Sequence, residues 1–136
     1  MDFAEKVIAE LIGIEVELFH AYARMVSETD PEALHDFRIG VRRLRSMLNP
    51  LGLADVSAQL ARAAAEVGRL TTPIRDMEVM AAELVRHGLF ELAQSRRMKV
   101  SEWYRSSDAN PVIEALFTEL GGWPGAFREA LLRIPR

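Results

Sequence analysis

The sequence predicts an all-α fold, an antiparallel helical bundle, on three observations. Apolar residues recur at steps of three and four through every long segment, the spacing of a helix face. No segment shows the apolar–polar alternation of a half-buried strand. Clusters of proline, glycine, serine and asparagine stand at helix-length intervals, where the chain has to turn.

The first helix is expected from Phe3 to about Glu28, because Phe3, Val7, Leu11, Ile14, Leu18 and Tyr22 share one face. Roughly 25 residues make a rod of about 37 Å. Ser27-Glu28-Thr29-Asp30-Pro31 ends it, and Asp30 suits the N-cap of a second helix with Pro31 at its first position. That helix runs to about Leu48, where Asn49-Pro50-Leu51-Gly52 stops it. A third starts near Asp55 and carries Val56, Leu60, Ala63, Ala64, Val67 and Leu70 on one side. Thr71-Thr72-Pro73 is expected to break it and restart a helix ending at Gly88, since an interior proline lacks the amide donor. Leu89 to Arg105 follows, with Ser106-Ser107-Asp108 as its end. Asn110-Pro111 opens a short helix closed by Gly121-Gly122, and Gly125 to Ile134 forms a last one. There is no internal repeat and no low-complexity linker, so a single domain over residues 1–136 is expected.

With 49% apolar and 27% charged residues, the composition is that of a globular chain. The absence of cysteine excludes disulfides, thiolate metal sites and cysteine nucleophiles. The N-terminal run lacks a basic leader and is interrupted by Glu5, Glu10, Glu15 and Glu17, so it does not read as a signal peptide. No apolar run approaches the roughly 18 residues of a membrane helix. A cytoplasmic protein without membrane contact is expected.

The net charge of −3 is unevenly placed. Residues 1–34 hold eight acids against Lys6 and Arg24, whereas residues 35–136 hold 15 bases against 12 acids. A general nucleic-acid binder is usually basic throughout, so no specific nucleic-acid partner is expected and any anion site must be local.

The segment HDFRIGVRRLR, His35 to Arg45, is the place for one. At 100° per residue, Leu34, Phe37, Val41, Leu44 and Leu48 form the apolar stripe that faces the core. His35, Arg38, Arg42 and Arg45 form a second stripe at its margin, while Arg43 points almost opposite the core. Cations one turn apart repel by a few tenths of a kcal/mol per pair, a strain that a regularly charged polyanion relieves. The arginine fork matches phosphate oxygens two at a time, and a histidine binds phosphate better as it protonates. The plainer reading is a solvated face paired with acids of the first helix.

The run DPEALHDFRIGVRRLRSML closely resembles the signature of the CHAD family, the conserved histidine α-helical domain. In that signature, H-x-x-R-[VI]-x-x-R-R-L-R, the fixed positions match His35, Arg38, Ile39, Arg42, Arg43, Leu44 and Arg45. IRDMEVM is similar to the family's R-D-x-D-V segment at Arg75, Asp76 and Val79, with Glu78 where aspartate is usual. The resemblance implies a helical bundle that binds inorganic polyphosphate through a basic surface, without catalysis or a cofactor, in association with polyphosphate granules. The polyphosphate-binding set it implies is His35, Arg38, Arg42, Arg43, Arg45 and Arg75. Arg62 and Arg69, seven residues apart on one face, and the cluster Arg96, Arg97 and Lys99 are possible extensions. The usual CHAD domain is longer and holds two similar helical halves around a basic channel, whereas this chain resembles the first half. A homodimer is therefore expected, with Leu116, Phe117 and Trp123 as its candidate apolar surface.

Two rival readings come from other classes. Glu17-x-x-His20 and Glu32-x-x-His35 have the spacing of carboxylate-bridged metal bundles, although two such pairs also arise by chance. Alternatively, the basic stripe docks an acidic protein partner. No Gly-rich phosphate loop, nucleophile elbow or H-E-x-x-H occurs. His20 and His87 fit structural roles, and Trp103 and Trp123 fit packing.

Overall fold

A computed structural model describes residues 1–49, 54–106 and 109–134. They form α1 (Phe3–Ser27), α2 (Ala33–Leu48), α3 (Ala54–Arg86), α4 (Phe90–Ser106) and α5 (Ala109–Leu132), with no strand among the described residues. The stop expected at Pro50-Leu51-Gly52 and the turn at Ser107-Asp108 lie outside them.

Asp2 and Glu5 make a reciprocal capping box at the start of α1, the Asp2 carboxylate accepting from the Glu5 amide at 2.8 Å. Glu28 ends that helix in the left-handed region, at φ 51°. Asp30 accepts from the Glu32 amide at 2.9 Å, so the expected capping chemistry is present. It organises a turn rather than the helix itself: α2 starts at Ala33, and Pro31 lies in the turn. Gly88, at φ 77°, closes α3 and reverses the chain into α4.

Two expected breaks do not occur. The third helix is continuous for 33 residues with Pro73 inside it. A proline there removes the bond to the Arg69 carbonyl, but neighbouring groups hold the turn. The Thr71 and Thr72 hydroxyls donate to the Val67 and Gly68 carbonyls, each at 2.8 Å. The buried residues Leu60, Ala64, Val67, Thr71, Ile74 and Ala81 continue on both sides of the proline. The same competition is resolved the same way in α5, which passes through Gly121, Gly122 and Pro124. Ile113, Leu116, Leu120, Trp123 and Phe127 are all buried, and one uninterrupted apolar stripe outweighs the local breakers.

The first, second, third and fifth helices share one core: α2 packs on α1 and α3, and α5 packs on α3 and α1. Leu11, Leu18, Phe37, Leu44, Leu60, Leu116 and Phe127 sit fully inside. The fourth helix lies outside on α3, burying only Ala93 and Val100. Of the apolar surface expected at a dimer contact, two residues are covered within the chain and Phe117 is half-buried. Leu116 and Trp123 are buried, and the Phe117 ring stacks on Phe19 with centroids 4.1 Å apart.

Close approach of α1 and α2 depends on Gly40. A methyl group there would lie 2.7 Å from Leu18 Cδ2 and 3.2 Å from its Cγ, and Leu18 is fully buried. Gly40→Ala gains up to about 1 kcal/mol of helix propensity, against an overpacking cost of roughly 1–3 kcal/mol. A net loss of up to about 2 kcal/mol is expected in urea unfolding. An equally stable variant would show that the helices can separate freely.

Candidate functional site

The basic stripe of α2 lies along its seam with α3. The two helices run antiparallel, since Glu32 faces Arg75 at 4.0 Å while Arg38 meets Gly68 and Thr71 further along. Continuing that register brings Arg45 level with the region of Arg62 on α3.

Arg38 is half-buried in the seam and latches the helices. Its Nη1 donates to the Gly68 carbonyl at 2.9 Å and to the Thr71 hydroxyl at 2.6 Å. Both Nη1 hydrogens are then used, but a guanidinium has five N–H donors. Nη2 and Nε have no hydrogen-bond acceptor among the described residues, so one edge of the fork remains for a ligand. Burial holds the Arg38 guanidinium below the usual arginine range, and the charges of Arg42 and Arg75 act in the same direction. Asp76 opposes them. Two further guanidiniums thus act on Arg38 at this site.

Arg42 and Arg45 are exposed on the same stripe, and neither has an ion-pair partner among the described residues. His35 is half-buried one turn before Arg38. Arg43 is not brought to the stripe: it turns to α1 and pairs with Glu17. Pairing with the acidic first helix therefore accounts for Arg43 and not for Arg42 or Arg45. The remaining cation of that region, Arg24, belongs to α1 and bridges Asp30 and Asp36.

A family model of the CHAD domain matches residues 15–131, most of the chain. The protein belongs to the CHAD family. No curated protein and no solved structure matches it. Among the described residues of this CHAD domain, no helix is long and apolar enough to cross a membrane.

Arg75, from the second family segment, is close enough to Arg38 to act on its charge. It is itself flanked by carboxylates, 3.7 Å from Glu78 and 4.0 Å from Glu32. The seam of the CHAD domain therefore has an acid-bounded end at Arg75 and an open basic end at Arg42 and Arg45. Of the possible extensions, Arg62 is exposed near the open end, and Arg69 is engaged by Glu66 at 3.0 Å. Arg96, Arg97 and Lys99 are carried by α4 instead, whose packing is on α3. The carboxylate–histidine metal constellation is not assembled. Glu17 is bonded to Arg43, Glu32 faces Arg75, and no three potential ligands converge among the described residues.

The sequence reading passed over Thr71 and Tyr104. Thr71 is fully buried and accepts from Arg38; its only sequence signal was a threonine pair before a proline. The Tyr104 hydroxyl lies 3.5 Å from Glu78 Oε2. Burial pushes the Glu78 carboxyl above the usual carboxylate range, with Arg75 and Tyr104 pulling it back. A raised folded pKa means that stability from this group is fully present below its unfolded pKa and is lost as pH rises through the folded one. Glu78→Gln cannot ionise, so it should melt above the parent at neutral pH and converge with it as pH falls toward the ordinary glutamate range. Comparing the two melting curves across pH checks this; a gap that does not close in acid would contradict it.

Proposed function

We propose that this CHAD domain binds inorganic polyphosphate, without catalysing a reaction, through the α2–α3 seam formed by His35, Arg38, Arg42 and Arg45. The observation that carries the reading is the pair Arg42 and Arg45, exposed beside the latched Arg38 with no carboxylate partner among the described residues. Mutual repulsion of cations along one helix face is relieved by an anion whose charges repeat along a line. A compact anion reaches one or two of these groups, whereas a polyanion laid along α2 reaches all of them.

Arg75 joins the site from α3, and the carboxylates beside it discourage the polyanion from running past that end. Arg43 contributes to the general field rather than to the contact set, because Glu17 holds it. A second copy of the chain would set two such seams around one groove, so a homodimer is part of the reading. Its contact lies elsewhere than Leu116 and Trp123, which are buried. Association with polyphosphate granules in the cytoplasm follows if the seam acts as a tether.

Titration of the purified protein with long-chain polyphosphate, orthophosphate and duplex DNA tests the reading. Saturable binding of polyphosphate, with orthophosphate and DNA far weaker, is expected. Equal affinity for DNA would reduce the site to a general cation patch. Light scattering in the same series reports whether two copies associate.

A further inference from the structure

A second feature lies away from the seam, on the other side of Arg75. The α1–α2 turn, the latter part of α3 and the inner face of α4 line a half-open cavity of about 630 Å³, within the roughly 300–1,000 Å³ range of small-molecule sites. It exists because α4 packs on α3 and meets the rest of the bundle only loosely. Its apolar wall is formed by Met25, Val79, Ala82, Val100 and the Tyr104 ring, beside a ring of charged side chains.

Glu78 lines this cavity with its carboxylate poorly satisfied. Oε1 is buried with no hydrogen-bond partner, and Oε2 receives only the Tyr104 hydroxyl at 3.5 Å. The Arg75 guanidinium stands 3.7 Å away, beyond hydrogen-bond length, and is shared with Glu32. A nearly buried carboxylate in that condition is costly unless something else supplies positive charge or donors.

The surrounding charges have the opposite balance to the seam. Among the described lining residues, five carboxylates stand against four guanidiniums. Three of those guanidiniums already have partners: Arg24 with Asp30, Arg86 with Glu83 at 2.7 Å, and Arg75 as above. The fourth, Arg97, has no ion-pair partner among the described residues; an anion reaching any of the other three would have to displace a carboxylate. A cation would meet Glu78 directly, and Glu28 faces the same space from the end of α1.

We propose that this cavity binds a small organic cation, a primary ammonium on a short apolar body, with Glu78 as its counter-charge. The apolar part packs against Val79, Val100 and the Tyr104 ring, and the ammonium donates to Glu78 Oε2, the oxygen that holds only the long Tyr104 contact. This site does not depend on the polyphosphate reading.

The test uses the full chain, free of polyphosphate, with benzylamine, benzyl alcohol and benzoate as probes of one shape and three charges. Calorimetric titration at neutral pH should show saturable binding of benzylamine, with the other two at least tenfold weaker. Glu78→Gln should weaken benzylamine at least tenfold. Because that variant changes a nearly buried group, its fold is checked by circular dichroism, and Ala82→Phe, which fills the cavity from its exposed wall, serves as the second variant. It too should abolish binding. No saturable binding of benzylamine, equal binding of benzyl alcohol, tighter binding of benzoate, or full binding by the Ala82→Phe variant would each overturn the proposal.

Discussion

Replacing Arg42 and Arg45 together with alanine should weaken polyphosphate binding roughly a hundredfold while leaving the fold intact. A hydrogen bond to a charged group is worth about 1.5–3 kcal/mol, and exposed groups keep the lower end because solvent screens them. Two such losses approach 3 kcal/mol, or about two orders of magnitude in Kd. Stability should change by no more than about 0.5 kcal/mol, because neither side chain is buried or ion-paired among the described residues. Removing like charges one turn apart even favours the helix slightly. Calorimetric titration and urea unfolding of the same preparation check both halves. A double variant that binds like the parent would move the site away from the seam.

Arg38→Met should behave differently, losing stability as well as affinity. The parent side chain joins α2 to α3 through the Gly68 carbonyl and the Thr71 hydroxyl. Both acceptors keep other partners in the variant, since Thr71 still donates to Val67 and Gly68 still receives Thr72. The cost is therefore that of the lost bonds, without an added orphaned group. About 2 kcal/mol is expected, a fall in Tm of roughly 6–10 °C for a chain of this size. Arg38→Lys retains the charge but not the fork, so it should recover part of the binding and less of the stability. A fully stable Arg38→Met variant would mean that the latch is incidental and that Arg38 serves the ligand alone.

The contrast between Arg38 and Arg42 also shows how far the sequence could be read. Helical periodicity placed Leu34, Phe37, Val41, Leu44 and Leu48 on one face, and all five are buried. It set Arg43 apart from the stripe, and the structure turns that residue to α1. Periodicity cannot say which neighbour a stripe meets. Thr71 lies 33 residues beyond Arg38, so the latch depends on how α3 returns past α2. Pro73 and the Gly121-Gly122 pair read as breaks because local rules hold for isolated segments. In the bundle, long buried stripes and the threonine hydroxyls carry the helices through. Phe117 looked free to join a second copy because the ring it stacks on, Phe19, comes from α1. Trp123 looked free because the expected break at Gly121-Gly122 separated it from the buried stripe that α5 carries through.

The most direct test of the central claim is the salt dependence of polyphosphate binding, measured for the parent and for the variant lacking Arg42 and Arg45. Each phosphate neutralised on a linear polyanion releases counterions, so log K falls with log salt in proportion to the number of contacts. The parent should show a steep negative slope, and the variant a slope shallower by about two. Identical slopes would contradict the account, because the two arginines would then carry no part of the contact.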